Sequence, residues 1–120
     1  MQDPKYARDF HKLVGTCKRR SIAVQTIKSI ARRPWGQREK LRGCWYEPLE
    51  DGLSLTQAVH WVLGHSDVFL ITVGDINVLP DVLKAANRSG SRPTDADMQA
   101  MVGAMDMESI FRGRQALMKR

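Results

Sequence analysis

The 120-residue sequence has few of the features that mark secreted, membrane-spanning or metal-binding proteins. Its two cysteines, Cys17 and Cys44, lack metal-ligand spacing, and we expect free thiols in a cytosolic protein rather than a disulfide. No apolar run approaches the roughly 20 residues of a membrane span, and the opening residues lack the character of a signal peptide. The sequence therefore predicts a cytoplasmic protein with no membrane partner.

The charge is unevenly placed along the chain. Nineteen basic residues against 13 acidic ones give a net charge of +6, and much of the excess falls within residues 28–42. A basic patch of this kind would suit the phosphates of a nucleotide or a nucleic acid, although a solvated loop explains it equally well. Nucleic acid is the disfavoured partner, because the sequence has no zinc-ligand set, no RNA-binding aromatic signature and no long basic arm.

Helical signals begin and end the chain and also occupy its middle. Asp3 and Pro4 predict a helix start, and Ser54 and Gly64 predict the two ends of another helix. Thr94, with an acid three residues later, predicts a third start. Apolar residues recur at helical spacing after each start, which predicts one buried face per helix: Tyr6, Phe10, Leu13, Val14 and Cys17; Leu55, Ala58, Val59, Val62 and Leu63; and Met98, Met101, Val102 and Met105, which we expect to fill the core. The basic tail, residues 112–120, is expected to fray.

Two apolar runs predict strands, at residues 22–27 and 68–73. The second run has no charge within residues 69–73, which is typical of a parallel strand that is buried on both faces. Gly74 ends it, Asp75 or Asn77 would cap a following helix, and a strand–glycine–helix junction suits a phosphate. Residues 28–52 predict a long loop, whose Trp35, Trp45 and Tyr46 either pack or contact a substrate.

The order of these elements predicts an α/β fold with parallel strands and crossover helices. Two parallel strands are not stable by themselves, and the sequences of both strands are typical of strands that are covered on both faces. The sequence therefore predicts part of something larger. Either more chain precedes Met1, or partner subunits complete the sheet as a homo-oligomer that covers the exposed strand edges.

Two segments carry a resemblance to a known family. "RRSIAVQTIKSIARRPWG" and "YEPLEDGLSLTQAVHWVLGHSDVFLITVGDINVLPDVLKAA" resemble the C-terminal part of the aldo/keto reductases, over about residues 8–111. The matching positions are Ala58, Trp61, Val62, Leu63 and Gly74. The resemblance implies a partial TIM barrel: two parallel βα units, similar to units seven and eight, plus flanking helices, with residues 1–111 as the barrel portion.

The resemblance also implies a cofactor, NADP or NAD. In the family, the loops after strands seven and eight wrap the pyrophosphate and the adenosine ribose, in agreement with the usual phosphate site of such barrels. By position, Lys28 and Ser29 would lie on the pyrophosphate side, and Gly74, Asp75 and Asn77 on the adenosine side. The sequence departs from the pattern at Ile76, where the family commonly has a cation for the 2′-phosphate. Asp75 would repel that phosphate but would accept from a ribose hydroxyl. Compensating charge could come from Lys28 or from Arg32 and Arg33.

The expected function is therefore a portion of an NAD(P)-dependent carbonyl reductase. The family's catalytic Asp, Tyr, Lys and His arrive on earlier strands, which this sequence lacks, so we assign no catalytic residue and expect no activity from the chain alone. His60 is expected to be structural and His65 to be solvated. The alternative is a non-enzymatic assembly or interaction protein whose βα units pair across subunits.

Overall fold

A computed structural model describes residues 3–111, and its architecture is mixed α/β. These residues form two short sheets and four helices, and the strands and helices are interleaved along the chain. Their bounds are α1 Pro4–Arg19, β1 Val24–Thr26, β2 Ala31–Pro34, β3 Tyr46–Pro48, α2 Gly52–Leu63, β4 Val68–Leu70, α3 Leu79–Asn87 and α4 Asp95–Ala104. The predicted basic tail, residues 112–120, lies outside the described residues.

The two strands predicted from apolar runs are parallel neighbours. β1 pairs with β4 in a register that sets Val24 beside Val68 and Thr26 beside Leu70. Both strands are shorter than predicted. The expectation that the second strand is buried on both faces is wrong, because Phe69 is 63% exposed and Ile71 is 39% exposed. One face of this sheet is covered and the other face is open.

The long loop predicted over residues 28–52 contains a second sheet. β2 and β3 pair in antiparallel fashion, with Ala31 beside Pro48, Arg33 beside Glu47 and an irregular register between Ala31 and Arg33. Tyr46 is buried in the core, and the indole Nε1 of Trp35 donates to the carbonyl oxygen of Cys44 at 2.8 Å. These two aromatic residues therefore pack the structure, whereas Trp45 remains 52% exposed.

The core lies between α2, α3, α4 and the antiparallel sheet. Its fully buried side chains are Leu49, Leu55, Val59 and Val82, and Met101 joins them while Met98 and Met105 pack at the margin. The predicted methionine filling is therefore confirmed. The predicted apolar face of α2 is also confirmed, except that its last member, Leu63, is 46% exposed.

The helix starts are partly as predicted. Asp3, directly before Pro4, caps the N-terminus of α1. Thr94 and Asp97 form a reciprocal capping box on α4. α2 is instead capped by Asp51, whose side chain accepts from the amide of Ser54. The start of α3 has no side-chain cap, so neither Asp75 nor Asn77 caps it.

Helix α1 has an apolar face that is only partly covered within residues 3–111: Phe10, Val14 and Cys17 are half-buried. None of its residues is buried, Tyr6 is 61% exposed and Leu13 is 56% exposed. An ion pair from Lys18 to Asp67, at 3.0 Å, ties its C-terminal end to the segment before β4. The expectation that this face is buried within the chain is therefore wrong.

Candidate functional site

The parallel pairing brings two predicted segments to one edge of the sheet. The amide of Ile71 donates to the carbonyl oxygen of Thr26 at 2.9 Å, just where β1 and β4 end. Lys28 and Ser29 follow the first strand, and the residues from Gly74 to Asn77 follow the second. We call these two segments, residues 28–29 and 74–77, the carboxyl edge.

Lys28 is held at the carboxyl edge by aromatic rings. Its backbone has a φ of 62°, in the left-handed region. Its ammonium nitrogen lies 5.1 Å from the ring centre of Trp45 and 5.0 Å from that of Phe111. Cation–π contacts of this kind favour a fixed position for the charge. A positive charge is therefore available where the sequence predicts the pyrophosphate.

The Asp75 carboxylate is fully engaged in hydrogen bonds within the protein. It is 5% exposed, and its two carboxylate oxygens accept from the amides of Gly43 and Asn77. These backbone donors lower the pKa of the Asp75 carboxyl. A Cβ on Gly43 would approach the carboxylate to 3.3 Å, so the small residue permits the contact. Asp75 thus fastens the loop before β3 to the start of α3, and little of it is accessible to a ribose.

Gly74, Ile76 and Asn77 of the carboxyl edge are open to solvent. Asn77 is exposed, and Ile76 is 79% exposed. A Cβ on Gly74 would meet no atom within 4 Å, so this glycine is not required by packing. Space for a ligand therefore exists here. Gly74 does not bring two segments of backbone close together, as the glycines of a phosphate-binding loop do.

Lys28 and Ser29 also line a large cavity. Its volume is about 890 Å³, and its walls come from α1, α2, α4 and the residues that follow β1. This volume falls within the usual range for small-molecule sites. Apolar side chains make much of its wall, and the following belong to it: Phe10, Val62, Val68, Met98, Met101 and Val102. Lys28 and Ser29 line it as well, whereas Gly74, Asp75 and Asn77 do not.

Three residues that line this cavity each have a buried polar atom without a hydrogen-bond partner. Among the buried side-chain nitrogens and oxygens of residues 3–111, Ser29 Oγ, Trp61 Nε1 and His65 Nε2 have no hydrogen-bond partner in the protein. All three residues line the cavity. Buried polar groups are usually satisfied, so these three atoms are exceptions. Each atom is itself fully buried, so it is not open to the cavity although other atoms of its residue line the wall.

Trp61 and His65, which line the cavity, form a cluster with Arg92, which does not line it. The rings of Trp61 and His65 meet edge to face at 5.0 Å, and the Arg92 guanidinium lies 5.1 Å from the Trp61 ring centre. Burial, and then the charge of Arg92, lower the pKa of His65. Both effects favour the neutral form of His65. The prediction that His65 is solvated holds only in part, because the residue is half-buried and its Nε2 is fully buried.

The sequence-based predictions missed this cluster because Arg92 is distant in the chain from the other two members. Trp61 and His65 are only four positions apart, a spacing that would have suggested a pair if the helix were continued past Gly64. Nothing local predicts Arg92, whose side chain lies over Gly64, where an added Cβ would come within 2.5 Å of it. His60, in contrast, is structural as predicted, since its Nε2 contacts the carbonyl oxygen of Ala85 at 2.9 Å.

Three arginines of the basic patch pair with acidic residues of the protein. Arg32 and Arg33 both bind Glu47, at 3.0 and 2.8 Å, and Arg42 binds Glu50. The hydrogen bond from Arg33 is the main cause of the lowered pKa of Glu47. Arg32 and Arg33 are therefore not free to compensate for the missing cation near Ile76.

Tyr46 is not a candidate proton donor. It is 6% exposed in the core, and burial raises its pKa to about 12.

Within residues 3–111 no group of His, Cys, Asp and Glu is arranged to hold a metal ion, and no helix there has the length and apolarity to cross a membrane. Comparisons with protein-family models, with curated proteins and with solved structures found no match to this chain.

Proposed function

We propose that this chain is the C-terminal portion of an aldo/keto reductase-like barrel, which contributes part of a nicotinamide cofactor site and performs no reduction alone. The observation that supports this proposal is the parallel pairing of β1 with β4. In a barrel of βα units, consecutive strands are parallel and their carboxyl ends hold phosphate-bearing ligands.

The order of elements also supports the proposal. Helix α2 lies between β1 and β4 in the chain and packs against α3, which follows β4. The antiparallel β2–β3 sheet is then an insertion after the first strand. The open face of β4, with Phe69 and Ile71 exposed, is the surface that further strands and side chains would cover in a closed barrel.

The carboxyl edge favours a weakly held dinucleotide. Lys28 supplies a positive charge there and Asn77 an exposed amide, whereas the Ser29 hydroxyl oxygen is buried. The buried Asp75 carboxylate opposes a 2′-phosphate at close range, and Ile76 offers it no charge. We therefore expect NADH to bind about as well as NADPH, and both to bind weakly.

The test is binding of NADPH and NADH by the purified chain, followed by cofactor fluorescence, with turnover of a simple aldehyde measured in parallel. Lys28→Gln should weaken both dinucleotides. Lys84→Gln on α3, which removes the same charge from a residue paired with Asp81, is the matched control and should change neither affinity. Robust aldehyde reduction, or equal affinities for the Lys28→Gln chain and the parent, would contradict the proposal.

A second candidate is an assembly protein without catalytic activity. It is favoured by apolar surface that the described residues leave uncovered: the α1 face with Tyr6 and Leu13, and the open face of β4 with Phe69. Contiguous exposed apolar surface marks association sites. Sedimentation at several protein concentrations tests it, since a cooperatively folded species that stays monomeric throughout would reject obligate assembly.

A further inference from the structure

We infer that helix α1 is a docking surface for an anionic lipid bilayer, on which the helix lies parallel to the membrane plane. This surface contains no residue of the carboxyl edge and precedes β1 in the chain, so docking and the proposed function can fail independently. A helix in this position rests on the bilayer and does not cross it. Docking of this kind differs from the sequence-based expectation of no membrane partner, which was drawn from the lack of a spanning segment.

The apolar face of α1 is open enough to reach a bilayer. Tyr6 is 61% exposed and Leu13 is 56% exposed, while the neighbouring Phe10 and Val14 are half-buried. Helical spacing places these four side chains on one face. The large cavity lies between part of this face and helices α2 and α4, with Tyr6 and Phe10 in its wall. Because no residue of α1 belongs to the core, we expect lipid contact to leave the core intact.

The opposite face of α1 is basic. Lys5, Lys12 and Arg19 are seven positions apart and share one side of the helix, and Arg8 lies beside them. All four side chains are exposed. Residues 3–20 contain six basic and two acidic side chains, a net charge of +4 out of the chain's +6. An apolar face backed by Lys and Arg is the pattern of helices that lie on anionic membranes.

Helix α1 is formed before it meets a bilayer. The Asp3 carboxylate accepts from the amides of Lys5 and Tyr6 and so caps its first turn. At the other end, Lys18 pairs with Asp67 at 3.0 Å and fastens the helix to the segment before β4. Docking therefore does not carry the entropic cost of forming the helix, a cost that a disordered basic segment would carry.

Charge favours a bilayer over a second copy of this chain. Two α1 helices packed face to face would bring like charges together, and residues 112–120, with four basic residues and no acidic one, would be repelled as well. Most acidic side chains within residues 3–111 already bond groups of their own chain, including the following: Glu47, Glu50, Asp67, Asp75, Asp81 and Asp97. Anionic headgroups supply the negative charge that another copy lacks.

The charge requirement is tested by cosedimentation of the full chain with vesicles of phosphatidylcholine that contain about 30% phosphatidylserine, and with vesicles of phosphatidylcholine alone. We expect tighter binding to the anionic vesicles, and a loss of that binding as salt screens the charges. The double variant Lys5→Gln, Lys12→Gln should bind them roughly tenfold more weakly. Lys40→Gln, Lys84→Gln removes the same charge from exposed residues elsewhere, and it should weaken binding by less than about twofold.

The apolar contact is tested with Leu13→Ala, which should weaken binding to the anionic vesicles roughly fivefold or more. Leu63→Ala on α2, where the residue is 46% exposed, is the matched control and should leave binding unchanged. Spin-labelled phosphatidylcholine in the vesicles should broaden the methyl NMR signals of Leu13 more than those of Leu63. Far-ultraviolet circular dichroism verifies that each variant is folded.

Three results would overturn the docking surface. The first is no binding to the anionic vesicles, or equal weakening by the α1 variants and their controls. The second is binding that Leu13→Ala leaves unchanged, because the attraction would then be purely electrostatic, as a nucleic acid would also provide. The third is an oligomer of the parent that Leu13→Ala dissociates, which would assign the apolar face to a second copy. No dinucleotide is present in these assays, so the proposed function does not affect their outcome.

Discussion

The substitution Leu55→Ala should destabilise the chain far more than Leu63→Ala, although both residues belong to the same predicted apolar face of α2. Leu55 is 1% exposed and lies in the core, so its truncation leaves a cavity as well as losing apolar burial. Such changes cost about 2–5 kcal/mol. Leu63 is 46% exposed, so its truncation loses only part of the burial and leaves no closed void, at a cost of about 1 kcal/mol.

The assay is urea unfolding followed by far-ultraviolet circular dichroism. The free energies of unfolding of both variants are calculated with the denaturant dependence (m value) of the parent protein. Because the two substitutions lie on one helix, their helix propensities cancel in the comparison. We expect the free energies of unfolding to differ by about 2 kcal/mol between the variants. Equal losses would refute the packing described for α2 and would favour the symmetrical face that the sequence pattern alone predicts.

Three further predictions concern single residues. Thr94→Ala should lower the free energy of unfolding by about 1 kcal/mol in the same assay, since the α4 capping box loses its hydroxyl, and no loss would contradict the box. The lowered pKa of Asp75 means that its stabilising charge is present above its ordinary pKa of 3.8 and is lost as the pH falls through the folded-state value. Asp75→Asn should therefore be less stable than the parent at neutral pH, and its acid unfolding curve should be shallower; identical curves would count against the buried carboxylate. Tyr46, with a pKa of about 12 against 10 unfolded, should remain protonated at pH 11 while the chain is folded, and stability should decline as the pH rises above 10. Phenolate absorbance, with Tyr46→Phe to assign the signal, checks this, and ordinary titration of Tyr46 in the folded chain would disprove its burial.

Local signals in the sequence predicted the features that short stretches of chain determine. The start of α1 was predicted because Asp3 and Pro4 act within one turn, and the start of α4 because Thr94 and Asp97 bond each other. The strands β1 and β4 were predicted from their apolar composition. Their parallel pairing also followed, because a helix between two strands favours it.

The antiparallel sheet was missed because its strands are short and irregular. β2 has four residues and β3 has three, too few for an alternating pattern, and each ends at a proline. Proline argues against a central strand but is accepted at strand ends and edges. Only the pairing across the loop, reinforced by the Arg33–Glu47 ion pair, makes these residues extended.

The candidate sites depended on distant contacts that no local pattern encodes. Asp75 looked like an available cap or a ribose ligand, but the amide of Gly43, 32 positions away, occupies its carboxylate. His65 was expected to be solvated, but its ring contacts that of Trp61, over which the distant Arg92 lies. Lys28 was predicted at a phosphate site from position alone. Its support by Trp45 and Phe111 required the three-dimensional structure.

The central claim is that β1 and β4 are parallel neighbours whose ends form the carboxyl edge. The most direct test is the scalar coupling across the hydrogen bond from the amide nitrogen of Ile71 to the carbonyl carbon of Thr26, measured by NMR on the ¹⁵N,¹³C-labelled chain. We expect a resolved cross-peak between these two nuclei and slow exchange of the Ile71 amide with solvent. Absence of the coupling, together with rapid exchange of that amide, would contradict it.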